Sequence, residues 1–97
     1  MRYEGTLIWS NGERSIVRDA IVDLDHIAFD APYPMGTYHV VLRPHPKADQ
    51  WVGEWTSAGR ANRVNARVNR TGDDVELTGR WLDGQDYSWE LALSLQE

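Results

Sequence analysis

Asp23 and Asp25 lie two residues apart, with His26 directly after them. On one face of a strand two such carboxylates would sit roughly 7 Å apart, a separation that suits a paired acid and base or a hard cation. The simpler reading is a solvated strand face that ends in an aspartate turn. His26, His39 and His45 show no metal-ligand spacing, because His39 and His45 would be roughly 20 Å apart on an extended strand. No Gly-x-Ser-x-Gly elbow, phosphate loop or dinucleotide fingerprint occurs in the chain. The residues therefore assign no catalytic group, no metal site and no cofactor.

Binding chemistry is better represented. Five tryptophans in 97 residues are a high share, and large flat rings can line a cavity for an apolar or sugar-like molecule or simply form the core. Tyr38, Trp51, Trp55, Trp81 and Trp89 are the candidate lining. Arg18 is the odd residue in the series Ile16, Arg18, Ala20, Val22, Leu24, and a guanidinium on that face could hold a ligand carboxylate with two parallel hydrogen bonds. A rim position, a bulge that turns it outward, or an internal ion pair would each relieve the cost of burying its charge.

A third candidate is basic. Arg60, Arg63, Arg67 and Arg70 fill a stretch with no acid between Glu54 and Asp73. Arg63 and Arg67 share a strand face with Asn65, with Arg80 across from Asn65, a patch that could receive an acidic partner. Net charge is −5, which disfavours the general attraction to phosphate backbones, and the tryptophans fall on the opposite face. No nucleic-acid partner is expected, and the patch reads first as a solvated outer face.

The elements that must carry these residues are strands. Apolar and polar residues alternate along nearly every segment, most clearly as Val64, Ala66 and Val68 against Arg63, Asn65, Arg67 and Asn69. Turn signals recur at 10–13, 25–26, 32–36, 44–49, 58–61, 71–74 and 83–86, and they predict eight strands at about 2–9, 14–24, 27–31, 37–43, 50–57, 62–70, 75–83 and 87–95. With Asn11-Gly12 as a two-residue loop, Leu7 faces Ile16, Tyr3 faces Ala20 and Gly5 faces Arg18. Later hairpins set Val22 and Leu24 inward against Phe29 and Ile27, Leu42 against Trp51, Trp51 against Val68, Val68 against Leu77 and Trp81 against Trp89. Strands 4 to 8 then carry a bulky layer (Tyr38, Trp55, Val64, Trp81, Trp89), a slim one (Val40, Gly53, Ala66, Gly79, Leu91) and a second bulky one (Leu42, Trp51, Val68, Leu77, Leu93). The expected fold is all-β: one small antiparallel up-and-down meander, a barrel or flattened barrel spanning 1–97.

Gly53-Glu54-Trp55, Leu77-Thr78-Gly79-Arg80-Trp81 and Tyr87-Ser88-Trp89-Glu90-Leu91 resemble the strand style of calycin barrels, the lipocalin and avidin group, over residues 50 to 95. The resemblance implies a barrel open at one end that holds a small organic ligand. No binding residue of that group maps onto this chain.

With no cysteine, neither a disulfide framework nor a thiolate site is available, and the cytoplasm is the expected compartment. Met1-Arg2-Tyr3-Glu4-Gly5 does not read as a secretory leader, and no apolar run is long enough to span a bilayer, so no membrane is expected. The function expected from these features is a soluble barrel that binds a small apolar or carboxylate-bearing molecule in its Trp-lined interior. The alternative is a protein-interaction or structural module with a filled core and no ligand, in which unpaired edges at strands 1 and 8 would support homo-oligomers.

Overall fold

A computed structural model describes residues 2–46 and 49–96. Eight strands follow one another in order: β1 (Arg2–Trp9), β2 (Arg14–Val22), β3 (Ile27–Tyr33), β4 (Gly36–Pro44), β5 (Trp51–Ser57), β6 (Arg60–Thr71), β7 (Asp74–Asp83) and β8 (Gln85–Gln96). Each pairs antiparallel with its neighbour, and β1 pairs with β8 from Arg2↔Gln96 to Trp9↔Trp89, so the sheet closes into a barrel. The edges through which copies of the chain were expected to pair are thus joined to each other. Among the described residues no helix is long and apolar enough to cross a membrane.

Alternation decides the inside. Leu7, Val17, Ile27, Phe29, Leu42, Trp55, Val64, Leu77, Trp81, Trp89 and Leu91 are all buried. A radius of gyration of 12.4 Å matches the roughly 12.5 Å of a compact chain of this length.

Register departs from the sequence expectation in two ways. At β2–β3, β4–β5, β5–β6 and β7–β8 the pairing is displaced by two residues: Val22 meets Ile27, Leu42 meets Gly53, Trp51 meets Ala66, and Trp89 meets Gly79 instead of Trp81. A displacement of two keeps the same side chains inside, because the side-chain period is two. The uniform bulky and slim layers dissolve, and rows form that set a glycine beside large residues. Gly79 lies between Ala66 and Trp89, and Gly53 between Leu42 and Val64.

At β1–β2 the shift is one residue. Tyr3 pairs with Ala20 but Gly5 pairs with Val17, so Arg18 and Asp19 together oppose Glu4. This is a β-bulge, and it reverses which residues face inward beyond it. Val17 and Ser15 are buried, whereas Ile16 is half exposed and Arg18 is exposed on the outer wall. The inward placement of Arg18 is therefore corrected. Leu24, also expected inside, lies in the β2–β3 turn and is 88% exposed. Past the bulge the β2–β3 ladder is reduced to Ile21↔Ala28 and Val22↔Ile27, and the Ser15 hydroxyl bridges the gap by donating to the Pro32 carbonyl at 2.7 Å.

The sharp bending of the sheet is made possible by backbone contact. A Cβ on Gly5, Gly53 or Gly79 would collide with the carbonyl oxygen of Ala92, Val41 or Asn65 respectively. In each case it is the strand next door that comes too close for any side chain. Gly79→Ala is expected to destabilise the barrel by about 3 kcal/mol or more, while the exposed neighbour Thr78→Ala stays within about 0.5 kcal/mol. Denaturant unfolding of both variants measures the difference.

Candidate functional site

One end of the barrel gathers the turns β1–β2, β3–β4, β5–β6 and β7–β8, and its inner rim is built from the inward-facing residues nearest those turns. Trp9 closes β1, Tyr33 closes β3, Ser57 closes β5 and Asp83 closes β7, while Tyr38, Arg60 and Tyr87 stand near the starts of β4, β6 and β8. The Ala58-Gly59 turn has positive φ at both residues, 49° and 79°, the two-residue geometry that suits strand twist. It sets Ser57 directly opposite Arg60.

Five of these rim residues, Tyr33, Ser57, Arg60, Asp83 and Tyr38, form one hydrogen-bonded chain. The Ser57 and Tyr33 hydroxyls lie 2.8 Å apart, and Arg60 donates to the Tyr33 oxygen at 3.4 Å and to Asp83 Oδ1 at 2.9 Å. Tyr38 donates its phenolic proton to Asp83 Oδ2 at 2.6 Å. Tyr33 stacks on Tyr38 with centroids 4.2 Å apart, and the Arg60 guanidinium lies 5.1 Å above the Trp55 ring. Asp83 keeps about a fifth of its side chain exposed, so its charge is held by two donors and still meets water. Burial first, and then the hydrogen bond to Asp83, push the Tyr38 phenol well above its ordinary pKa of 10.0.

Beneath the rim lie packed rings. Trp81 meets Trp9 at 5.4 Å, Tyr38 at 5.1 Å and Trp89 at 5.6 Å, all edge to face, the arrangement ring quadrupoles favour. Trp55 donates its indole N–H to the Leu82 carbonyl at 2.6 Å, and the Trp89 N–H lies 3.2 Å from both the Asn65 and Arg80 carbonyls. Above these rings is a concavity of about 180 Å³ lined by Trp9, Asn11, Glu13, Tyr38, Trp81, Asp83 and Tyr87.

Of the residues expected to bind ligand, Tyr38 and Trp81 line this mouth. Trp55 and Trp89 belong to the packed floor under it. Trp51 lies at the opposite end, half-buried, with the Arg70 guanidinium 5.9 Å from its ring. Arg18 sits on the outer wall beside Ile16, Asp19, Asp30 and Pro32. Trp9, Tyr33, Ser57, Arg60, Asp83 and Tyr87 were missed: all of them continue the inward alternation of their strands, but Tyr33 and Arg60 fall in segments read as turns and Asp83 at the edge of one.

The other candidates do not converge. Asp23 and Asp25 are exposed around the β2–β3 turn, where the Asp23 N–H bonds the His26 carbonyl. His39 pairs with Asp30 at 2.7 Å on the outer wall. No group of acids and histidines that could hold a metal occurs among the described residues. The arginine stretch is divided: Arg60 belongs to the mouth, and Arg70 donates to the Asp23 carbonyl at the other end. Arg63 lines an outer groove with Asn65 and Arg80, and Arg80 is bound by both oxygens of Asp86.

Comparison with known proteins returned no matching family model, no matching curated protein and no matching solved structure.

The raised pKa of Tyr38 has a pH consequence with a definite sign. The folded state holds the phenolic proton more tightly than the unfolded chain, so the stabilisation is complete below pH 10 and is lost as pH climbs above it. Wild-type protein is expected to lose stability above pH 10 faster than Tyr38→Phe. Solvent at the mouth screens the effect, which keeps the difference below about 1 kcal/mol per pH unit. Urea midpoints of both proteins between pH 9 and pH 11 check it.

Proposed function

We propose that this barrel is a small-molecule binding protein whose ligand sits in the aromatic mouth above Trp81. The observation that carries this reading is convergence. Trp9, Tyr38, Trp81, Tyr87 and Asp83 come from β1, β4, β7 and β8 to line one concavity. Apolar rings with a few placed polar groups are the usual makeup of a small-ligand site.

The location differs from the interior site expected from the alternation. Trp55, Trp81 and Trp89 are each at most 3% exposed and pack edge to face, so the space the ligand was to fill is occupied by indoles. A carboxylate-bearing ligand also loses its anchor, since Arg18 lies outside and Arg60, the cation at the rim, is paired with Asp83 and is not among the residues lining the concavity. The calycin resemblance is kept as a proposal, supported by the closed up-and-down order of the strands, and so is a cytoplasmic location, supported by the lack of cysteine.

The filled core is the one feature that favours the alternative, a structural or interaction module with no ligand. Tryptophan fluorescence separates the two. At least one small polar or aromatic molecule is expected to change the emission saturably. The response should be weakened in Tyr87→Ala, at the mouth, and kept in Trp51→Phe, at the opposite end. A response that depends on Trp51 and ignores Tyr87, or no saturable response to any molecule, would overturn the mouth as the site.

A further inference from the structure

The indoles around the mouth fall into two classes by the fate of their N–H groups. Trp55 and Trp89 spend theirs on backbone carbonyls. Trp9 and Trp81 are 5% and 1% exposed, yet neither N–H has a hydrogen-bond partner among the described residues, and neither nitrogen is sealed from solvent. The little surface these two rings keep therefore includes a donor, and the concavity that both rings line is the mouth. Buried indole N–H groups ordinarily find an acceptor.

Acceptors face the same space. Tyr38 gives its one proton to Asp83, so toward the mouth its oxygen can only accept. Each Asp83 oxygen takes one bond from the protein, from Tyr38 or Arg60, and keeps a lone pair to offer. From this arrangement we infer that the mouth takes a neutral, hydroxyl-bearing ligand about the size of one sugar ring. Trp9 and Trp81 donate to its oxygens, and Asp83 and Tyr38 accept from its hydroxyls.

Other ligand classes fit less well. An anion would meet the carboxylates of Glu13 and Asp83. A cation would be drawn by Glu13, but Asp83 is already neutralised by Arg60 and the two indole N–H donors would be left without an acceptor. A purely apolar ligand would strip water from donors and acceptors without replacing it. A hydroxyl both donates and accepts, so a ring of hydroxyls satisfies both sets at once. The volume of about 180 Å³ is below the roughly 300 Å³ at which drug-sized ligands are held, which limits the ligand to a single small ring.

This inference rests on the mouth being the ligand site, and the experiment separates the two. The five indole N–H resonances of the ¹⁵N-labelled protein are assigned and followed on titration with D-glucose, D-galactose, D-mannose and myo-inositol. Parallel titrations use methylguanidinium, acetate and indole. The expected result is saturable movement of the Trp9 and Trp81 signals with at least one of the hydroxylated probes, with Kd on the order of 1 mM. The Trp51 signal stays still. Trp9→Phe and Asp83→Asn should each weaken that binding by about fivefold or more, and Arg63→Ala, on the outer groove, should leave it unchanged.

If only methylguanidinium, acetate or indole moves those two signals, the ligand class is wrong and the mouth stands. Sugar binding that survives both Trp9→Phe and Asp83→Asn unchanged overturns the assigned donors and acceptors. If every probe leaves Trp9 and Trp81 unmoved, both the ligand class and the mouth fall.

Discussion

The carbonyl oxygen of Asn65 holds two parts of this structure together. It occupies the position that a Cβ on Gly79 would need, and it is also an acceptor for the Trp89 indole N–H. Trp89 pairs directly with Gly79 across β7–β8, so the missing side chain leaves room for the indole to lie over the sheet and reach β6. Without that room a ring of this size would have to stand upright in a barrel whose eight strands leave space for little more than side chains. Gly53 and Gly5 make equivalent close approaches to Val41 and Ala92. Backbone contact at three glycines is thus what lets a chain of 97 residues curl tightly enough to close and still contain its tryptophans.

From that constraint the mouth follows. Trp55 and Trp89, with their N–H groups spent on carbonyls, make a floor on which Tyr38 and Trp81 respectively pack edge to face. Trp9 and Tyr38 pack against Trp81 in turn. Above this level the inward positions become polar, and Ser57, Tyr33, Arg60, Asp83 and Tyr38 satisfy one another in a single chain. A barrel filled to its rim leaves chemistry only at the rim, and there the hydrogen-bonding capacity not consumed by the protein is concentrated.

Alternation made the sequence legible where side-chain direction was the question. The eight strands, their order and most of the buried set follow from it, and they survive the two-residue displacements at four hairpins because such displacements leave each residue on its side. Register itself was not legible, since it depends on turn geometry and on where a backbone can approach another. The bulge at Arg18 and Asp19 shows the other failure. One added residue turned Arg18 from an interior anchor into a surface cation, and no local signal in Ile16 to Leu24 announces it. The mouth was partly readable: Trp9, Ser57 and Asp83 continue the inward alternation of their strands, but Ser57 is a small polar residue at a strand end and Asp83 beside Gly84 reads equally well as a turn residue. The hydrogen bonds that join Ser57 to Asp83 through Tyr33 and Arg60, and Asp83 to Tyr38, span five different strands, and only the folded barrel brings them together.

Hydrogen exchange of the indole N–H groups, followed by ¹⁵N-resolved NMR in D₂O, tests the central claim most directly. The Trp55 and Trp89 protons, held by backbone carbonyls over the floor, should exchange roughly a hundredfold or more slowly than those of Trp9 and Trp81, which open to the mouth. Equal protection of all four, or rapid exchange at Trp89, would contradict an indole laid across Gly79 and a mouth lined by free donors.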